Sequence, residues 1–221
     1  MFTFDEESHT YYLDGVKIPS VSEIIAPLSD YSGISPAMLE NACNYGKAVH
    51  KTIELYLKGT LDEDNLSEPL KRALIEYQKM TQGFNMRGCE IVFCEAMLYD
   101  EKLRFAGTLD IIADKVIIDI KTRKYNPITD DLQLAGYEIL TGGKKDKYIL
   151  ELLPDRPYGL IKVVNSQAKS MFLYMLDFWH KTNEYNKKLE GWKNEKIRCQ
   201  KGSKNGNKRN AINTEIKKFF L

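Results

Sequence analysis

No run of about 18 apolar residues occurs anywhere in the 221-residue chain, so no segment has the make-up of a membrane-spanning helix. The opening Met-Phe-Thr-Phe-Asp-Glu-Glu lacks the basic-then-apolar order of a secretory leader. A soluble, cytoplasmic protein is the expectation. There is no internal repeat. Net charge is also scarce, since 32 Lys+Arg against 31 Asp+Glu leave +1. That balance hides a division. Residues 1–180 hold 20 basic and 27 acidic side chains, about −7, whereas residues 181–221 hold 12 and 4, about +8. Such asymmetry points to a basic arm for a polyanion, the plainer reading being a solvated tail. With 43% hydrophobic residues the chain has enough for a real core, and one elaborated domain is expected.

Local signals place the elements. His9–Leu13 and Val16–Ile18 flank Asp14-Gly15, a hairpin pattern. Ser20 and Glu23 form a capping-box pair. Ser35-Pro36 opens a helix running to about Lys58 and stopped by Gly59, and a second helix is expected from about Ser67 to Gln82. Strands follow near Glu90–Tyr99, Leu103–Ala113 and Lys115–Thr122. Thr129–Leu140 reads as a helix ending at Gly142-Gly143. Two strands, Tyr148–Leu153 and Tyr158–Val163, precede a helix from Ser166 to about Trp192. This order predicts an α/β fold with a mixed sheet and helices on both faces.

Two of those strands carry ionised residues inside apolar runs: Phe105-Ala-Gly-Thr-Leu-Asp110 and Val116-Ile-Ile-Asp119-Ile-Lys121. A charged group in a core strand needs a partner or a metal. If the runs form a hairpin turning at Asp114-Lys115, Asp110 lies opposite Asp119 and Thr108 opposite Lys121. Facing Cβ atoms are then roughly 4.5 to 5.5 Å apart, and Asp119 and Lys121 share a face. Opposed like charges suit a divalent cation between them, magnesium taking one or two carboxylates plus water and phosphate oxygens. A loop of odd length would turn Asp110 to the other face.

Asp110, eight intervening residues and Asp119-Ile120-Lys121 resemble the bipartite core of the PD-(D/E)XK nuclease superfamily, with Leu109 where the name has proline. Gly46-Lys-Ala-Val-His50 upstream and Gln133-Leu-Ala-Gly-Tyr137 downstream stand in the order found in RecB-type domains. The opening up to Pro19-Ser-Val-Ser22 is similar to that of phage exonucleases of the group. The resemblance covers about residues 9 to 140. It implies a restriction-endonuclease-like core with an N-terminal helical cap, residues 1–200 forming one nuclease domain. Within it, 1–85 would be the hairpin and helical part, 86–165 the catalytic sheet and 166–200 a C-terminal helix, followed by a basic flexible tail, 201–221.

The same resemblance implies roles. Asp110 and Asp119, the Ile120 carbonyl, His50 and Glu95 would hold one or two Mg²⁺ or Mn²⁺ ions, Glu90 being the alternative to Glu95 in another strand register. Lys121 would orient or deprotonate the attacking water, the base role requiring a depressed pKa. Gln133 and Tyr137, an i, i+4 pair, would contact a phosphate or a terminal nucleotide, Thr122 would meet the DNA, and Arg123, with Lys124, is either a phosphate contact or a plain solvated charge. Glu54, four residues after His50, reads as a local partner. Some relatives carry an iron–sulfur cluster on four cysteines, but Cys43, Cys89, Cys94 and Cys199 lack the spacing, and none is expected. The implied activity is exonucleolytic hydrolysis of single- or double-stranded DNA ends, of the phage recombination, repair or processing type, in the host cytoplasm if phage-encoded. A single-strand-annealing or replication protein is a candidate partner. An endonuclease on the same core and a non-cleaving DNA-binding or assembly module are the alternatives.

Overall fold

A computed structural model describes residues 1–85 and 91–202. Of the expected tail, 201–221, the first two residues end a helix, and the rest, with Cys89 and Glu90, lies outside the described residues. Among the described residues eight strands, β1 (Phe2–Asp5), β2 (Thr10–Leu13), β3 (Val16–Ile18), β4 (Ile91–Asp100), β5 (Phe105–Ala113), β6 (Val116–Lys121), β7 (Asp146–Glu151) and β8 (Gly159–Val163), combine with a short 3-10 helix, Ala26–Leu28, and five α-helices. These are α1 (Val21–Ile25), α2 (Pro36–Leu57), α3 (Glu68–Asn85), α4 (Thr129–Leu140) and α5 (Ala168–Gly202). The chain divides into two compact units, Met1–Met175 and Leu176–Leu221, the break falling inside the expected C-terminal helix. Among the described residues no helix is long and apolar enough to cross a membrane.

Local chemistry sets several boundaries. Asp14 and Gly15 both have positive φ, 53° and 73°, which matches the twist of the strands they join. Ser20 and Glu23 close the capping box, with side-chain to backbone hydrogen bonds of 3.0 and 3.1 Å. Ser35 caps α2 at the Met38 N–H, Pro36 fills its first turn, and Gly59 follows its end at φ 67°. The sequence reading lacked β1. It pairs antiparallel with β2 to make a three-stranded sheet with β3, which buries Tyr11, Leu13 and Ile18 against Ala106.

The second sheet runs β4-β5-β6-β7-β8. All its pairs are antiparallel except β6 and β7, which α4 connects in parallel. This bears out the expected mixed α/β fold with helices against a central sheet. Val49 and Ile53 of α2, with Ala73, Tyr77 and Met80 of α3, pack on Ile111, Ile118, Ile120 and Leu150. Side chains alternate along a strand, so Ile117, Asp119 and Lys121 point to the opposite face, where α4 lies. Residues Val116 to Ile120 of β6 are all buried, as expected of a central strand covered on both faces.

The hairpin turns at Asp114-Lys115, and its register, Ile111↔Ile118 and Ile112↔Ile117, carries Asp110 opposite Asp119. Pairing stops there. Thr108 does not pair with Lys121 as expected. It faces Met97, and its hydroxyl meets the Tyr11 hydroxyl at 2.7 Å, because the outer half of β5 is drawn toward Pro19 and Ser20. The opening between β5 and β6 is where the charged side chains gather.

Candidate active site

Asp110 fills the opening with its own side chain. Its Oδ2 accepts a 2.6 Å hydrogen bond from the Ile120 N–H, so a carboxylate takes the place of the missing strand partner. Its other oxygen, Oδ1, lies 3.2 Å from His50 Nδ1. Glu95 stands on the other side of Asp110, between the paired Cys94↔Ile111 and Ala96↔Leu109, and its backbone is left-handed at φ 49°. A non-glycine residue held there costs on the order of 1 to 3 kcal/mol, and such residues cluster at functional sites. Glu95, Asp110 and Asp119 thus form one acidic row across three strands.

The ligand atoms of His50, Glu95 and Asp110 all lie within 4.8 Å of one another, with His50 Nδ1 3.7 Å from Glu95 Oε1. Helix α2 delivers the imidazole. It comes close to β6 at Gly46, where a Cβ would lie 3.2 Å from Thr122 Oγ1, and one turn later His50 meets the carboxylates. Glu54, further along, is held by Lys51 at 2.8 Å and Lys58 at 2.5 Å. His50, Glu95, Asp110 and Glu54 line a cleft of about 390 Å³ together with His9, Lys47 and Thr108. The sequence reading gave His9 no role. It reaches the cleft because the tip of β1 and β2 folds back, its ring edge-on to Phe4 and Tyr11, and no local pattern marks that.

Asp119 sits apart from that triad. Its Oδ2 lies 2.7 Å from Lys121 Nζ, yet that oxygen accepts no properly directed hydrogen bond within the protein and is fully buried. The ion pair alone does not satisfy it. Lys121 in turn donates a 2.8 Å hydrogen bond to Gln133 Oε1, and Gln133 Nε2 donates to the Tyr137 hydroxyl at 2.9 Å. The expected Gln133 and Tyr137 pair is therefore aligned behind the lysine, with Tyr137 only 4% exposed. Arg123 grips Asp130 through two hydrogen bonds of 2.9 and 2.5 Å, and Thr122 lies beside Gly46.

The charges compensate one another. Burial works against the His50 imidazolium, but the Asp110 and Glu95 carboxylates outweigh it and lift the pKa to about 11. Burial likewise opposes ionisation of Asp110, yet His50, Lys121 and the Ile120 N–H hold its carboxyl below the usual range. Burial pushes Asp119 up to about 6, Lys121 pulling against it and the Asp110 charge adding to it. Lys121 stays above its ordinary value, the two aspartates overcoming burial. A protonated lysine is a charge and a hydrogen-bond donor, not a base.

These groups suit a divalent cation. Carboxylate oxygens fit magnesium and manganese, and an imidazole nitrogen is tolerated by the latter. The buried Asp119 oxygen, met only by the Lys121 ion pair among the described residues and repelled by the Asp110 charge, is an arrangement a cation would relieve.

No protein-family model matches the sequence, and no curated protein matches it. Similar solved structures include an alkaline exonuclease (LHK-Exo) from Laribacter hongkongensis, 12% identical, with 80% of this chain and 93% of that chain covered at a TM-score of 0.49. The structure of LHK-Exo in complex with dAMP is also similar, at 13% identity, 81% and 94% coverage and a TM-score of 0.48.

Proposed function

We propose that this protein is a Mg²⁺- or Mn²⁺-dependent deoxyribonuclease that hydrolyses phosphodiester bonds at DNA ends. The observation that carries the reading is the acidic row Glu95, Asp110 and Asp119, bounded by the His50 imidazole and the Lys121 ammonium. Glu95 and Asp110 would hold the ion, joined by His50 once its imidazolium has lost a proton, with Asp119 and the Ile120 carbonyl as further donors. A cation in such a site polarises a phosphoryl oxygen and makes hydroxide available near neutral pH.

The protein's own groups supply the rest. Lys121, fixed between Asp119 and Gln133, sets a positive charge where negative charge grows on the phosphate, which costs no reorganisation during reaction. Its raised pKa favours this electrostatic role over proton abstraction. Tyr137 stiffens Gln133 from behind. Thr122, and Arg123 once exchanged from Asp130, would contact the backbone beyond the scissile bond. The resemblance to RecB-type exonucleases supports strand ends as the substrate, and a recombination or repair setting with an annealing or replication partner.

The test is digestion of end-labelled linear DNA with Mg²⁺ or Mn²⁺ by the wild type, Asp119→Ala and Lys121→Ala. Loss of at least about 100-fold in both variants is expected; equal activity in all three refutes the site. Circular DNA in the same assay separates exonuclease from endonuclease, and binding without cleavage at either metal would favour a non-cleaving module.

A further inference from the structure

The second unit carries three large rings in the open. On α5, Phe178 is 67% exposed, Tyr185 58% and Trp192 53%. They recur every seven residues, which is 20° short of two full helical turns, so the three lie within about 40° of arc along about 21 Å of helix. Lys181 and Lys188 fall between them, three residues after one ring and four before the next, and therefore on the same face. Both are exposed. Among the described residues Lys181 pairs with Asp177 at 2.6 Å, a surface pair with a 74% exposed ammonium side chain, which is weak enough to exchange.

A seven-residue apolar repeat is also the mark of a coiled-coil seam. Here, however, the companion seam positions are Lys181 and Lys188, and self-pairing would bury ammonium groups from both copies without partners. The charge of the segment points elsewhere, since residues 181–221 hold 12 Lys+Arg against 4 Asp+Glu. Successive rings are about 10.5 Å apart along the axis, too far to stack on one another, so each presents its own exposed face. Aromatic rings alternating with cations form the platform that takes unpaired bases and their phosphates.

We propose that the α5 face bearing Phe178, Tyr185 and Trp192, with Lys181 and Lys188 between them, binds single-stranded nucleic acid, the rings stacking on unpaired bases and the ammonium groups meeting phosphates. The surface does not depend on cleavage, and its test omits metal. Full-length protein in EDTA is titrated with fluorescent poly(dT) and with poly(dA)·poly(dT) duplex, following anisotropy. Phe178→Ala, Tyr185→Ala and Trp192→Ala should each weaken single-strand binding by about fivefold or more and leave duplex binding unchanged. In a Trp179→Phe background, poly(dT) should quench the remaining Trp192 fluorescence. Lys181→Ala and Lys188→Ala should each lower the salt dependence of single-strand binding by about 0.7 in the log–log slope.

Unchanged single-strand affinity in the combined ring variant would overturn the proposal, as would equal losses on single strand and duplex. A concentration-dependent dimer abolished by the ring substitutions, with poly(dT) binding retained, would make the face a contact between copies and would also overturn it. Because all five side chains are exposed, a circular dichroism spectrum matching wild type is expected for every variant.

Discussion

Gln133 and Asp119 hold the same ammonium: Lys121 Nζ is 2.8 Å from the amide oxygen of one and 2.7 Å from the carboxylate of the other. An amide placed this way positions the lysine. Gln133→Ala should lower kcat by about 10- to 100-fold, as loss of an orienting partner at a catalytic centre does, with KM little changed. Steady-state kinetics on linear DNA decide it. A raised KM at constant kcat would put Gln133 on the DNA instead.

Metal binding should stabilise the wild type in a thermal melt, by about 2.7 kcal/mol when the free ion is at 100 times its Kd. Asp110→Asn should lose that gain. Glu95→Gly should lose it too, while its metal-free form remains at least as stable as wild type, because glycine accepts φ 49° without the side-chain penalty. A full metal-induced shift in either variant would remove that residue from the ligand set.

Gly136 lies within α4, where alanine would ordinarily gain about 1 kcal/mol in helix propensity. Here an added Cβ would fall 2.8 Å from the Phe172 ring and 3.1 Å from Val21. Overpacking of this kind costs about 1 to 3 kcal/mol, so Gly136→Ala should lower the urea midpoint, and Phe172→Leu in the same chain should recover part of the loss.

The Glu76 carboxylate, 9% exposed, takes a hydrogen bond from Lys79 at 2.6 Å and one from the Tyr158 N–H at 2.9 Å, pinning α3 to the start of β8. Lys79, then the Tyr158 N–H, hold its pKa below the ordinary 4.5. The ionised form is thus favoured by folding, so its stabilisation is present above pH 4.5 and lost as pH falls through the lower folded value. Glu76→Gln should cost about 1.5 kcal/mol at neutral pH, and the gap to wild type should close in acid. A gap constant from pH 7 to 3 would contradict this.

The features legible in the sequence were those decided by neighbours in the chain. The Asp14-Gly15 turn, the Ser20 and Ser35 caps and the register that opposes Asp110 to Asp119 follow from a few adjacent residues. What escaped depends on chain segments meeting far from each other. β1 is four residues long and is defined only by β2, and His9 comes to the cleft with it. The left-handed Glu95 reflects a break in the β4 and β5 ladder that no residue type announces, although Glu95 itself stood out as a carboxylate among apolar neighbours. Arg123 looked free for phosphate because its partner Asp130 is brought back only by the turn after β6. Gln133 and Tyr137 share a helix face as expected, but the ammonium that Gln133 meets belongs to another element.

The short β5 and β6 ladder leaves a slit in the sheet, and the two layers each send one group to it: α2 the imidazole, α4 the amide behind the lysine. Asp110 and Asp119 are therefore sensitive to the seating of both layers at once. A small slip of α2 would misplace the His50 nitrogen that meets Asp110, and a slip of α4 the amide oxygen that accepts from Lys121, before any strand separates. The centre thus acts as a gauge of assembly, and on warming or in mild denaturant activity should fade ahead of the loss of secondary structure.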